Sequence, residues 1–542
     1  MVVTAWLQRA AAARPDTIAL EHPGGGDAPA RACTYAELLA LARAGAGALA
    51  ARGATPGERV AIALPAGLDF ACALHACLLL GAVAVPVDLR LGERERAAVL
   101  DGATVVVDEP LSLDAPAGVA LVEHDLDSVA VVIHTSGTTS APKPVELTYG
   151  NFLWSALGSA VALGLLEGGA GDRRSPSRAP PPSDLGGVGD RRSPSRAPPP
   201  SDLGGAGDRR PPSRAPLQSN PHERWLCNLP LSHVGGLSIL LRSAIYGTTA
   251  VMHERFDTEH TLHALTSEGV TLVSLVATTL ARLLDAGLER PTTGSAGGAP
   301  LRCALTGGGP VPAALLMRAR AAGVPVSLTY GLTEACSQVT TQPLAETGTD
   351  WGDTRSARIP RSASAAGACL PASMAIAAAP REPGGAPSAG PPLFCTRVRT
   401  AADGEIEVAG PTVARGAAAP DGWLRTGDLG TVDRQGCLLV TGRKADTIVS
   451  GGENVAPTEV EAVLEEHPGV LEAAAFGRPD ERWGEAVTAV VVARAGALLR
   501  GEELRAHCAA RLAPYKVPKE VALVEGPLPR TRSGKLLRRE LR

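Results

Sequence analysis

The run Thr135-Ser-Gly-Thr-Thr-Ser-Ala-Pro-Lys143 crowds hydroxyls, a glycine and a lysine into nine residues behind the apolar stretch Val129-Ala-Val-Val-Ile133. That stretch reads as a buried strand. A loop of this composition suits a polyphosphate. Gly137 lets the backbone bend so that N–H groups converge, Ser136, Thr138 and Thr139 add donors, and Lys143 adds a point charge. The G-x-x-x-x-G-K-[ST] order of a Walker loop is absent. Alone, the run is no more than a polar turn; its weight comes from the segments that follow it.

Five such segments follow in order. Leu305-Thr-Gly-Gly-Gly-Pro310 reads as a strand running into a glycine turn, where backbone can lie close to a flat ligand. Tyr330-Gly-Leu-Thr-Glu334 offers an aromatic face, a hydroxyl and a carboxylate within five residues. Trp423-Leu-Arg-Thr-Gly-Asp428 sets an aspartate behind a glycine, and its two acceptor oxygens suit a ribose diol. Gly442-Arg-Lys-Ala-Asp446 runs into Ser450-Gly-Gly-Glu-Asn-Val-Ala-Pro457, a flexible junction before a glycine loop. Pro529-Arg-Thr-Arg-Ser-Gly-Lys535 places a lysine behind a glycine, among Arg530, Arg532, Arg538 and Arg539. Singly, that lysine is a member of a basic tail, and Glu334 is a helix-start carboxylate favoured by the dipole.

The elements that must position these segments are legible in outline. From Thr34 to about Val161, helical and strand-like segments alternate: a helix capped by Thr34, a strand over Arg59–Leu64, a helix to about Gly81 and a strand over Ala82–Val87. Such alternation implies parallel strands with crossover helices, an α/β fold. It resumes at Arg224 and continues to about Val339. Residues 350–400, rich in Ala, Pro and Ser, yield no elements, and Gly404–Val440 reads as a small β region. A compact α/β unit follows Arg443, which divides the chain into domains at 1–442 and 443–542. The segment GDRRSPSRAPPPSDLGGV at 171–188 recurs almost unchanged at 189–206 and starts again at Gly207, a period of 18 residues. No copy has a hydrophobic face, so 167–218 is expected to be a disordered insertion with no part in the chemistry.

Composition narrows the class. A chain of 542 residues exceeds one core and implies roughly two to four domains or subdomains. Hydrophobic content of 45%, charged content of 20% and a net charge of −4 describe a soluble protein, with no nucleic acid or anionic membrane as partner. The ten cysteines form no C-x-x-C pair, so they read as small buried residues in a reducing cytosol. Phe70–Val87, interrupted by His75, Gly81 and Pro86, fits a buried helix running into a strand better than a membrane span. Val2 to Arg9 reads as the start of an amphipathic helix and not as a signal peptide. A cytoplasmic location is expected, and a homo-oligomer is compatible with the chain.

In order and spacing, the six segments resemble the adenylate-forming superfamily of acyl-CoA synthetases, luciferases and nonribosomal-peptide adenylation domains. The resemblance covers residues 1–166 and 219–542. It implies a large N-terminal domain that holds ATP and a carboxylic acid, under a small mobile C-terminal α+β domain. By position, Thr135, Ser136, Gly137, Thr138, Thr139 and Lys143 would wrap the phosphates. Gly307, Gly308, Gly309 and Pro310, with Tyr330 and Gly331, would flank the adenine. Thr333 would touch the α-phosphate, Glu334 would hold Mg²⁺, and Asp428 would bind the ribose hydroxyls with Arg443 assisting. Lys535 would be the adenylation lysine, whose ammonium offsets charge on the transferring phosphoryl. For transfer to CoA, rotation about Arg443–Asp446 would exchange Lys535 for Ser450, Gly451, Gly452 and Glu453, which would line the pantetheine channel. Two residues depart from the family pattern, Ser140 and Pro144, each where a glycine is usual. Pro144 removes an N–H and stiffens the loop, which lowers activity if that donor matters.

Within the superfamily, Pro230–Gly247, Val270–Leu284, Leu301–Pro310 and Ser450–Val455 resemble the 2-succinylbenzoate–CoA ligases. Their substrate has two carboxylates: the succinyl one is activated and the benzoate one must be held, which asks for a cation. Arg242, taken as one or two helical turns past His233, is the candidate for that charge, and His233 for shaping the acyl pocket. A structural salt bridge is the other role open to Arg242. The resemblance also admits a CoA ligase for another aryl or fatty acid, a carrier-protein-loading enzyme and a catalytically dead nucleotide binder. No carrier domain follows the lysine segment, which weighs against the second of these.

Overall fold

The structure, a computed structural model, describes residues 1–23, 30–112, 121, 123–135, 142–165, 223–289, 300–344, 387–531 and 536–541. The repeat insertion expected at 167–218 lies outside the described residues, as do Ser136 to Ala141 and Lys535.

Alternating apolar strands and helices produce two sheets sharing a core. One has five strands in the order Ala103–Val107, Arg59–Ile62, Val83–Pro86, Val129–Thr135 and Lys143–Thr148, and only the last pairing is antiparallel. The other has eight: Ser337–Thr341, Val326–Leu332, Cys303–Thr306, Leu272–Leu275, Arg224–Cys227, Thr249–Met252, Ile18–His22 and Arg31–Thr34. Its outer pairings are antiparallel and its inner ones parallel. Ile62, Leu79 and Ile133 meet Trp225, Cys227 and Met252 in one cluster. Each such side chain contributes about 1.5–3 kcal/mol on burial.

Local signals account for the helices. Thr34 caps Tyr35–Ala51 in a capping box: the Glu37 N–H donates to Thr34 Oγ1, and the Glu37 carboxylate accepts from the Thr34 N–H. The apolar stretch from Phe70 is spent on the helix Leu68–Leu80, whose residues from Phe70 on are all buried, and on the strand Val83–Pro86. Gly81, at φ 78°, ends the helix in the left-handed conformation that costs glycine least. Among the described residues no helix is long and apolar enough to cross a membrane. The nine described cysteines are free thiols, seven of them buried.

The small β region starts earlier than its turn signals imply. Arg397–Thr400, Glu405–Ala409, Leu424–Val432 and Leu438–Arg443 form a four-stranded antiparallel sheet. After a 3₁₀ turn at Lys444–Asp446 the chain builds a five-stranded sheet: Glu453–Val455, Ile448–Ser450, Gly484–Ala493 and Val470–Asp480 in order, with Glu520–Val524 parallel to Gly484–Ala493. Helices Pro457–Glu465 and Gly501–Ala509 cover it, and Ile448, Val460, Leu464, Val487 and Leu504 give it a core of its own.

That core carries a pH signature. Glu465 is pushed up to about 7, first by burial and then by the nearby Glu461 carboxylate. Because the folded value exceeds the unfolded one, the folded state binds the extra proton between these values. The contribution of Glu465 to stability is therefore fully present below about pH 4.5 and is lost as pH rises through about 7, by at most about 3 kcal/mol. Urea unfolding of the C-terminal region at pH 5 and pH 8 should show this loss, and Glu465→Gln should remove it.

Candidate active site

Three neighbouring parallel strands, Leu272–Leu275, Cys303–Thr306 and Val326–Leu332, end along one edge of the larger sheet. Carboxyl ends of parallel strands are where α/β sheets receive ligands. Gly307 leaves the middle strand with its N–H on the Leu275 carbonyl at 3.1 Å. A Cβ there would lie 2.6 Å from the Thr329 carbonyl oxygen, so only glycine fits. Gly308 then turns at φ 78°, and the glycine turn expected from Leu305–Pro310 is formed.

At the end of the third strand, Tyr330 meets two residues about a hundred positions away. Its hydroxyl donates to Asp428 Oδ2 at 2.8 Å, while Arg443 Nε approaches Asp428 Oδ1 at 2.9 Å. Asp428 faces Arg443 in the register of the small sheet, 6% exposed. Burial, and then the Asp428 carboxylate, push the Tyr330 phenol up, so it stays a protonated donor. Behind this trio, Glu405 accepts from the Gly427 N–H at 2.9 Å and pairs with Lys444 at 3.0 Å. Glu405 carries no motif and reaches the site through strand register, while Lys444 comes from the Gly442–Asp446 segment, on the 3₁₀ turn that follows the last strand of the small sheet.

The Thr333–Glu334 segment is a 3₁₀ turn followed by two left-handed residues that are not glycine, Cys336 at φ 52° and Ser337 at φ 87°. Such conformations cost about 1–3 kcal/mol each and persist only when the surroundings impose them. Several contacts do so. Ser155 Oγ donates to the Cys336 carbonyl at 2.7 Å, and the Ala414 N–H donates to the Glu334 carbonyl at 2.7 Å. Gly331 lies where a Cβ would sit 1.7 Å from the Ser337 carbonyl oxygen, at a register shift of the hairpin. The Glu334 carboxylate makes no hydrogen bond or ion pair with the other described residues. It is thus available to Mg²⁺, which is held by one or two carboxylates together with phosphate oxygens. No cluster of three metal-ligating side chains exists among the described residues.

Residues 7–108 and 212–417 match the AMP-binding enzyme family, and residues 459–535 match the AMP-binding enzyme C-terminal domain. The chain belongs to the AMP-binding enzyme family. It is 32% identical to the 2-succinylbenzoate–CoA ligase of Bacillus subtilis over 99% of this chain and 97% of that one. The solved o-succinylbenzoate CoA synthetase (MenE) of B. subtilis in complex with its acyl-adenylate intermediate superposes with a TM-score of 0.74 at 32% identity, covering 100% of this chain and 98% of that one. The same enzyme with ATP and magnesium also gives 0.74 at 32% identity, covering 100% of both chains. The α/β architecture with a small C-terminal domain is therefore that of the family.

In this AMP-binding enzyme the remaining candidates are placed unevenly. Thr135 ends one strand opposite Lys143, which starts the next. Lys143 and Pro144 thus belong to a strand and not to the loop; Pro144 sits on an edge strand, where a missing N–H is tolerated. Ser136, Gly137, Thr138, Thr139 and Ser140 fall outside the described residues. Lys535 does too, but its flanks are anchored: Arg530 bridges to Leu536, and Arg538 pairs with Glu461 at 2.8 Å and Asp446 at 3.1 Å. The glycine loop at Ser450–Glu453 is a tight hairpin in which Gly451 and Gly452 supply φ of 64° and 85° and Trp483 packs over Gly451.

His233 and Arg242 are not brought together. His233 occupies the N-cap position of the helix Val234–Tyr246, and Arg242 lies about 2.5 turns on, roughly on the opposite face and about 13 Å along the axis. This corrects the spacing of one or two turns. Arg242 is 3% exposed; its Nη2 donates to Ser155 Oγ at 2.9 Å and its guanidinium lies 5.9 Å from the Trp225 ring centre. Burial lowers its pKa. It has no carboxylate partner among the described residues, so the salt-bridge role has no partner there.

Proposed function

We propose that this chain is an ATP-dependent acid–thiol ligase that converts 2-succinylbenzoate, ATP and CoA to 2-succinylbenzoyl-CoA, AMP and diphosphate. The observation that carries this reading is the Tyr330–Asp428–Arg443 trio beside the Gly307 turn, in a chain 32% identical over 99% of its length to a 2-succinylbenzoate–CoA ligase. In the first step a substrate carboxylate oxygen attacks the α-phosphorus, and the bond to diphosphate breaks. In the second, the CoA sulfur attacks the acyl carbon, AMP leaves, and the thiol proton is lost. Gly307 to Pro310, Tyr330 and Gly331 flank the adenine, and Asp428 with Arg443 takes the ribose hydroxyls. Thr135 to Thr139 and Lys143 hold the phosphates, Thr333 the α-phosphate. Glu334 would hold Mg²⁺, which would supply positive charge against the phosphate oxygens. Lys535 offsets the charge that develops on the transferring phosphoryl.

His233 shapes the acyl pocket at a helix start. The domains are 1–442 and 443–542, with the junction at Arg443–Asp446 as hinge. Its rotation carries the Ser450–Glu453 hairpin to the site for thiol transfer. A tight hairpin suits that role because it moves as one piece. The enzyme works in the cytoplasm, on small molecules alone, without nucleic acid or membrane. Thioester formation with a panel of carboxylic acids tests the substrate. The expected result is kcat/KM for 2-succinylbenzoate at least about 10²-fold above benzoate and medium-chain fatty acids. Equal use of a fatty acid would move the chain to another branch of the family, and ATP–pyrophosphate exchange with none of the acids would end the ligase reading.

A further inference from the structure

The left-handed pair Cys336–Ser337 directly follows Thr333 and Glu334, and something must hold it. One helix, Tyr149–Ala162, does so at two points a single turn apart. From Ser155, the hydroxyl donates to the Cys336 carbonyl. From Asn151, Nδ2 donates to the carbonyls of Pro411 and Val413 at 2.8 and 3.0 Å, and the next residue, Ala414, donates its N–H to the Glu334 carbonyl. The Ser155 hydroxyl has one proton, spent on Cys336, so its orientation depends on what donates to its oxygen. That donor is Arg242 Nη2, a buried charged group whose hydrogen bond is stronger than a neutral one. Tyr246, one turn further along the Arg242 helix, donates to the Ala156 carbonyl at 2.5 Å and ties the two helices together.

We propose that Arg242 and Ser155 are positioning residues: a buried relay from guanidinium to hydroxyl to the Cys336 carbonyl that sets the Thr333–Glu334 turn for Mg²⁺ and the α-phosphate. This rests on the reading of Glu334 as the Mg²⁺ carboxylate. It assigns Arg242 a role other than meeting the second substrate carboxylate. The relay needs every link, so removing either residue breaks the same structure.

Three variants test it: Ser155→Ala, Arg242→Ala and the double variant. Ser155→Ala removes one oxygen and leaves the arginine in place. It is expected to lower the rate of ATP–pyrophosphate exchange about 10-fold and to raise the Mg²⁺ concentration for half-maximal rate, with KM for the acid within about twofold. The double variant should be no slower than Arg242→Ala alone, because coupled residues are not additive. Amide hydrogen exchange over residues 333–341 should quicken in Ser155→Ala, a readout that does not depend on activity. If Ser155→Ala keeps the wild-type rate, Mg²⁺ dependence and exchange, the relay is wrong. The same holds if Arg242→Ala raises only the KM for the acid, which would return Arg242 to the substrate carboxylate. An enzyme that adenylates no acid sinks the proposed activity instead, and hydrogen exchange still decides the relay.

Discussion

Replacing Lys535 with alanine is expected to lower ATP–pyrophosphate exchange by about 10²-fold or more, the largest effect of any single substitution in this chain. Attack of a carboxylate on the α-phosphorus brings two anions together and spreads further charge over the transferring phosphoryl. A positioned ammonium acts on that charge without waiting for solvent to reorganise, which is why one group is worth several kcal/mol there. The flanks of Lys535 are suited to such positioning. Arg538 is held by Glu461 and by Asp446 of the junction, and Arg530 faces Glu472 at 3.5 Å. Thiol transfer should respond differently. Supplied with preformed acyl-adenylate and CoA, Lys535→Ala should make thioester at close to the wild-type rate, because the proposed hinge rotation withdraws the lysine from the site in that step. Exchange within about threefold of wild type would remove Lys535 from the first step. Equal loss in both steps would argue against the hinge exchange.

Asp428→Asn is expected to raise KM for ATP about 10- to 10²-fold while leaving KM for CoA unchanged. The carboxylate is 6% exposed and is fixed by the Tyr330 hydroxyl and the Arg443 guanidinium. Hydrogen bonds to a charged group are worth about 1.5–3 kcal/mol, which sets the range. Folding should suffer little, because the Arg443 side chain is 55% exposed and water can take over its solvation. A melting temperature close to wild type, together with the rise in KM, separates loss of ribose binding from loss of structure. The amide also takes a negative charge away from the Tyr330 hydroxyl. Its pKa, read from the phenolate absorbance, should therefore fall relative to wild type. An unchanged KM for ATP would exclude Asp428 from the nucleotide site.

Much of the candidate site is legible in the sequence, because its chemistry is written in short local runs. Gly307 and Gly308 are glycines for reasons of close approach and positive φ, and both show as a glycine turn behind an apolar strand. The helix cap at Thr34, the buried helix Leu68–Leu80 and the small β region were likewise visible, since capping, burial and turns act over a few residues. Ser450-Gly-Gly-Glu reads as a glycine loop, and two consecutive glycines are what a tight two-residue hairpin demands, but the hairpin itself shows only in the strand pairing.

By itself, then, the sequence determined the family, the α/β class and the residue types that can meet a nucleotide, since these depend on local composition and order. Only the tertiary structure decided which distant residues complete the site. Glu405 reaches it through strand register, and Arg242 turns away from His233 because about 2.5 helical turns separate them. The strained turn at Cys336 has no sequence signature either, because what sustains it is a buried arginine and serine on two other helices. Local physics sets which elements form; which side chains then face each other depends on packing between elements far apart in the chain.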